Sequence, residues 1–217
     1  MAHVVLTSNV RRVHASSFTV ARRRLGFVLL LGGWMAIVGT GLTALWRYEV
    51  AAGEPGTPPA RWPEASAIVP VPGRPTLIMW LHPHCPCSNA SVEELDRVMA
   101  HVGDHVAVHV VFEDVGGGDD ATEPALRTRA ASIHGVSAVR DVGGVEARRF
   151  EVRTSGQTVL YDADGRLRFA GGITGSRGHA GDNSGQQALL AAILGDAHAM
   201  PGAPVYGCAL RSVPEAG

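Results

Sequence analysis

Residues 76–88 read TLIMWLHPHCPCS, and this stretch decides the fold. Thr76–Leu81 is an unbroken apolar run of strand length, the pattern of a β-strand buried on both faces. The polar knot His82-Pro83-His84-Cys85-Pro86-Cys87-Ser88 interrupts it, because each proline fixes φ and removes a backbone donor. From Ser88 to Val102 the apolar residues Val92, Leu95, Val98, Met99 and Val102 recur at helical spacing. The order is strand, cysteine pair, helix. A cysteine at a helix N-terminus meets unsatisfied N–H groups and the positive end of the helix dipole, both of which favour the thiolate.

Downstream, His105–Phe112 is apolar and β-branched, a second strand, and Gly116–Asp120 breaks it. A helix is expected over Pro124–His134, with proline near its first turn. A strand around Ser137–Arg140 and a short helix at Val145–Phe150 follow. Gln157–Tyr161 reads as a strand, Asp162–Gly165 as a hairpin turn, and Arg166–Gly171 as the return strand. Gly185–Leu194 is the final helix. The order β-α-β-α-β-α-β-β-α implies parallel crossovers followed by a closing antiparallel hairpin. This defines an α/β domain over residues 76–196 and a tail over 197–217 that carries Cys208.

With its cysteines between the first strand and first helix, the domain resembles the thioredoxin-like fold, a central mixed sheet flanked by helices. The layout is similar to that of membrane-anchored extracytoplasmic thioredoxin-like proteins of the TlpA-like and RedB-type groups. The likeness spans roughly residues 68–196. WLHPHCPCS (80–88) corresponds to the family's WAxWCxxC region, and FEVRTSGQTVLYDADGRLRFAGG (150–172) to its strand–turn–strand segment. The resemblance implies thiol–disulfide exchange without a cofactor, on thiols or disulfides of extracytoplasmic proteins. Two departures stand out. The family's second cysteine falls on Ser88, so the motif is CxC. The family's cis-proline maps onto Gly156, beside Gln157. A cis bond without proline costs ~2.5–4 kcal/mol, so a trans bond is expected there. The substrate docking that thioredoxins perform with that loop must then differ.

Cys85 is the expected nucleophile, helped by His84 and His82 if they are protonated. A Cys85–Cys87 disulfide would close a very small, strained ring, and strained disulfides are more oxidising. Cys208 is the alternative resolving thiol, on a tail of about 13 residues that can span ~40 Å. Both pairings stay open. The Gly-rich stretch 171–183 follows the last strand, so topology returns it to the cysteine end of the sheet. There Arg177 can stabilise a thiolate, and His179 can act as general base or metal ligand. Asp182 or Asn183 is the expected cap of the final helix. The alternative function is copper or zinc binding or delivery through His82, His84, Cys85 and Cys87, since thiolate and imidazole suit Cu(I) or Zn(II).

Residues 25–46 run LGFVLLLGGWMAIVGTGLTALW without a charge. At 1.5 Å per residue they extend about 33 Å, enough to cross a hydrocarbon core of ~30 Å. A signal peptide would have a shorter apolar region and a small-residue cleavage site. This run ends instead in Leu45-Trp46-Arg47-Tyr48, an interfacial pattern. An uncleaved anchor over Leu25–Trp46 is expected. Residues 1–24 hold five Arg and no acid, so they are expected to stay cytoplasmic, as the tail of a single-pass inner-membrane protein. The soluble domain then lies outside the cytoplasm. Residues 47–75 hold seven of the 13 prolines and read as a semi-rigid spacer, with Ile68, Val69 and Val71 able to pack on the domain. All 19 basic residues are Arg, as expected of a GC-rich bacterial genome. From residue 47 onward 14 Arg face all 20 acidic residues, which argues against a nucleic-acid partner. With 46% hydrophobic residues and 18% charged, the chain is too apolar to be disordered.

Overall fold

The computed structural model describes residues 5–114 and 122–210; the expected Gly116–Asp120 break lies outside them. The chain divides into two units, Met1–Tyr48 and Glu49–Gly217. The first is formed by α1, Val5–Glu49. Over Arg22–Glu49 it is, among the described residues, the one helix long and apolar enough to cross a membrane. Phe27, Leu30, Ile37 and Trp46 stand exposed along it, an apolar surface that suits lipid better than water.

The second unit carries β1 (Thr76–Leu81), α2 (Cys87–Val102), β2 (Ala107–Asp114), α3 (Thr122–Ala131) and β3 (Val136–Val142). It continues with α4 (Val145–Arg149), β4 (Thr158–Tyr161), β5 (Leu167–Gly171), α5 (Ser184–Ile193) and β6 (Gly202–Ala203). One sheet has the order β3-β2-β1-β4-β5-β6. β2 pairs parallel with both β1 and β3, while β4 pairs antiparallel with both β1 and β5. This is the mixed, helix-flanked sheet of the thioredoxin-like fold. β3 runs past the expected Arg140 because its ladder with β2 continues to Asp114↔Val142. β6 was not expected: two residues are too few to show a strand period, and they are held by the parallel pairing of Ala170 with Gly202.

β1 is central and every one of its residues is buried. Its side chains alternate between two cores, as a strand's period of two requires. Leu77, Met79 and Leu81 meet Val92, Leu95, Val98 and Met99 of α2 and Leu189 of α5. Ile78 and Trp80 meet Val111, Phe150, Val159 and Tyr161 on the other face. Removing a buried leucine from such a core costs about 2–5 kcal/mol. The strand that leads into the cysteine motif is therefore held on both faces.

The stretch read as a semi-rigid spacer is docked on the domain well before its last third, where Ile68 is buried but Val69 and Val71 stand exposed. Gly53 N–H donates to Val205 O, Thr57 N–H to Glu151 O, and Trp62 N–H to Gly165 O. The Tyr161 hydroxyl donates to Pro59 O at 2.9 Å. Trp62 packs edge-on against Phe150 and Tyr161, with ring centroids 5.2 Å apart in both pairs. Farther on, Glu146 of α4 accepts from Ser66 Oγ and Ala67 N–H. Prolines lack donors but keep their carbonyls, so an extended proline-rich chain can still dock on a domain that offers N–H and O–H groups.

Candidate functional site

β1 ends at Leu81, and the motif turns immediately. Cys85 N–H donates to His82 O at 3.1 Å, and Ser88 N–H to Cys85 O at 3.0 Å. Pro86 is the N-cap of α2 in helical conformation and offers no side-chain cap. The first-turn N–H groups therefore lack a capping oxygen. The Cys85 sulfur takes that role for the Cys87 N–H. Ser88 Oγ donates to His82 O at 2.8 Å and lies 3.0 Å from Ser155 Oγ. Ser155 Oγ also accepts the His82 N–H at 2.9 Å. These buried bonds fix the motif against the loop before β4.

That loop contains Gly156, the position matching the family's cis-proline. Among the described residues every peptide bond is trans, and Gly156 has φ +87°. An L side chain is strained at that φ, and a Cβ there would lie 3.0 Å from Ser91 Oγ. Gly156 N–H donates to Trp80 O at 2.7 Å, and Trp80 N–H to Gln157 O at 3.0 Å. Gln157 Oε1 closes the loop by accepting Arg153 N–H.

The chain's own tail lies on this loop. Thr154 and Ala209 form an antiparallel bridge. Ser155 N–H donates to Cys208 O, and Leu210 N–H to Arg153 O, each at 2.8 Å. Arg177 clamps the strand from the side, one guanidinium nitrogen donating to Gly207 O at 2.5 Å. The result is three thiols, Cys85, Cys87 and Cys208, in one cluster with no disulfide among them. Cys85 is 3% and Cys87 7% exposed, while Cys208 is half-buried.

The three thiols are electrostatically unequal. Burial raises the Cys85 thiol, but hydrogen bonds from Cys208 Sγ–H and N–H, then Cys87 N–H and Sγ–H, outweigh it, and the net shift is downward. Burial, the Cys85 charge and the bond donated to Cys85 raise Cys87, although Arg177 and the Gly178 N–H oppose this. Cys208 is pushed up to about 12 by burial, by the bond it donates to Cys85 and by the neighbouring sulfur charges. The arrangement favours the thiolate on Cys85 over that on either neighbour, with the two other thiols as donors to it.

The structure thus brings Cys85, Cys87, Cys208, Ser88, Gly156 and Arg177 to one end of the sheet. His179 is exposed and turned back on its own loop, its Nδ1 2.7 Å from Arg177 O. His84 is exposed. His82 is buried: Nδ1 accepts the His84 N–H at 3.0 Å, and Nε2 lies 3.7 Å from Glu113 Oε2. The proposed ligand set His82, His84, Cys85 and Cys87 is therefore not assembled. Among the described residues no group of three or more His, Cys, Asp or Glu side chains is arranged to hold a metal ion. Asn183, not Asp182, caps α5, its Oδ1 accepting Gln186 N–H at 2.9 Å.

Three participants were missed. Ser155 links the motif to the tail, and only its position beside Gly156 hinted at it. Gly207 lies so close to the loop that a Cβ would sit 1.9 Å from Ser155 O. Glu94, fully buried in α2, accepts the Gly181 N–H and an Arg97 contact at 3.3 Å, holding the 171–183 loop over the site. Burial raises the Glu94 carboxyl, against the pull of those two partners.

The fold and the thiol cluster at a helix N-terminus define a thioredoxin-like domain. No protein-family model matches the chain, and no curated protein matches it. Similar solved structures include a hypothetical protein from Sinorhizobium meliloti 1021, 17% identical with a TM-score of 0.55 over 75% of this chain and 97% of that one. An uncharacterized conserved protein from Geobacillus kaustophilus is likewise 17% identical, with a TM-score of 0.55 over 76% and 94% of the two chains. A secreted Mycobacterium tuberculosis disulfide oxidoreductase is 20% identical, with a TM-score of 0.41 over 57% of this chain and 82% of that one.

Proposed function

We propose that the chain is a membrane-tethered thiol–disulfide exchange protein in which Cys85 is the nucleophile. The observation that carries this is the Cys85 sulfur at the start of α2, accepting hydrogen bonds from both other thiols. A thiolate is the attacking species in disulfide exchange. The donors that hold it here are themselves thiols, so a second sulfur stands ready to release whatever Cys85 captures. Arg177 adds positive charge beside the cluster.

The partners on this account are cysteine pairs of extracytoplasmic proteins. α1 anchors the chain in the inner membrane in a single pass, with its Arg-rich N-terminus in the cytoplasm. The soluble unit then works in the periplasm, where disulfides persist. A reporter fused after Arg61 should be active only outside the cytoplasm; cytoplasmic activity alone contradicts the orientation.

The activity is tested by following reduction of a small disulfide, such as hydroxyethyl disulfide, with dithiothreitol as electron source and the full chain in detergent micelles. Cys85→Ser is expected to bring the rate to the uncatalysed background. A Cys85→Ser protein that keeps the unmodified rate contradicts the proposal.

A further inference from the structure

The tail strand is seated on the backbone edge of the loop that holds the cysteine motif. Residues 153–155 offer the Ser155 N–H and the Arg153 carbonyl, and the tail takes both with the Cys208 carbonyl and the Leu210 N–H. Gly207 lets the strand approach without a Cβ, and Arg177 holds its carbonyl. This pairing puts Cys208 Sγ in hydrogen-bond contact with Cys85.

Cys87 is placed less well for the same task. Pro86 is helical and Cys87 opens α2, so a Cys85–Cys87 disulfide would have to close a very small, strained ring across a single proline. The Cys87 sulfur donates to Cys85 and also accepts from the Gly178 N–H of the neighbouring loop. Cys208 arrives on a separate strand and is free of that constraint.

We propose that Cys208 is the resolving thiol and that its strand, residues 207–210, is a displaceable occupant of the edge that an incoming extended disulfide-bearing segment takes. This rests on the exchange chemistry proposed above. The Cys85 thiolate attacks one sulfur of the incoming disulfide. That S–S bond breaks, and its electron pair leaves on the first substrate sulfur, which takes up the proton given up by Cys85. The incoming segment displaces the tail from 153–155 while it is bound through Cys85. When the tail returns, Cys208 attacks the Cys85 sulfur, and the second substrate sulfur departs with the proton from Cys208. The chain ends with a Cys85–Cys208 disulfide, having lost two electrons and two protons, and the substrate ends as two thiols. Resolution and release of the product are the same movement, because the resolving sulfur rides on the strand that reclaims the edge.

The test uses the full chain in detergent micelles, reduced and then exposed to oxidised glutathione, with peptide mapping by mass spectrometry and amide hydrogen exchange. The unmodified protein and Cys87→Ser are expected to yield the Cys85–Cys208 linked peptide. Cys208→Ser is expected to hold glutathione on Cys85 for at least about tenfold longer, since an intramolecular thiol outcompetes one from bulk. In that adduct the Ser155 and Leu210 amides are expected to exchange faster than in the reduced protein. A Cys85–Cys87 link in the unmodified protein, with equally fast loss of glutathione in Cys208→Ser, overturns Cys208 as the resolving thiol. Unchanged exchange at Ser155 and Leu210 in the adduct overturns the displacement. If glutathione never appears on Cys85 in any of these proteins, the exchange chemistry itself is wrong, and this inference falls with it.

Discussion

The carbonyl of Cys208 accepts the Ser155 N–H at 2.8 Å. Through that bond, beside the contact of Cys208 with Cys85 itself, the C-terminal tail is coupled to the cysteine motif, because Ser155 Oγ also accepts the His82 N–H and meets Ser88 Oγ. The tail, the loop before β4 and the first turn of α2 therefore share a single residue. A movement of the tail is felt at the motif, and the sulfur that Cys208 presents to Cys85 is aimed by this contact.

Ser155→Ala is expected to cost about 1–3 kcal/mol, the penalty for leaving a buried N–H without its acceptor. His82 N–H is the donor stranded, and it lies in the turn that carries Cys85. Urea unfolding of the reduced protein measures this. A change below a few tenths of a kcal/mol would mean that the network does not hold the motif.

Cys208→Ala removes a thiol donor from the Cys85 sulfur. The Cys85 pKa should then rise. For each unit of rise, alkylation of Cys85 slows by up to about tenfold at a pH below the midpoint. The pH–rate profile of iodoacetamide labelling, followed at the Cys85 peptide, tests the direction. A midpoint that stays or falls would show that Cys208 does not stabilise the thiolate.

The cluster also sets a pH dependence of stability. Cys85 is depressed below its ordinary value of 9.0, so it is ionised in the folded chain where the unfolded chain still binds a proton. Stability rises with pH through that window, and is lost again as pH falls through the folded value. Cys208 is raised to about 12, so between 9.0 and that value the folded chain holds the extra proton and stability declines. Cys208→Ser should flatten the alkaline decline relative to the unmodified protein in urea unfolding across pH 7–11; an equal decline in both would remove Cys208 as its source.

Trp62→Ala is expected to destabilise the soluble unit by about 2–4 kcal/mol, somewhat below the cost at a fully buried aromatic site. Its ring packs on Phe150 and Tyr161 from within the proline-rich stretch. A fragment beginning at residue 76 should be less stable than one beginning at residue 50. Equal unfolding midpoints for the two fragments would restore the picture of a free spacer.

Much of the domain was legible because its signals are local. The uninterrupted apolar run of β1 announced a strand buried on two faces, and the helical spacing from Val92 to Val102 announced α2. The place of Cys85 between them followed. What escaped depends on contacts that are distant in sequence. The docking of residues 53–67 rests on carbonyls such as that of Pro59 and on Trp62 finding an aromatic pocket, neither of which has a periodic signature. The orientation of His82 is set by the His84 N–H and by Glu113 in β2, partners that the sequence pattern around the cysteines does not announce. The tail pairing needed an open edge at 153–155 and a glycine at 207 to approach it. Cys208 could be seen to reach the site by length, but not which backbone groups it would meet.

The central claim is that one thiolate resides on Cys85 and is held there by two neighbouring thiols. Differential alkylation of the reduced full chain across pH 5–11, quantified separately for the three cysteine peptides, measures it most directly. The expected result is a Cys85 midpoint below 9.0, with those of Cys87 and Cys208 above it. A Cys85 midpoint at or above either of the others would contradict the account.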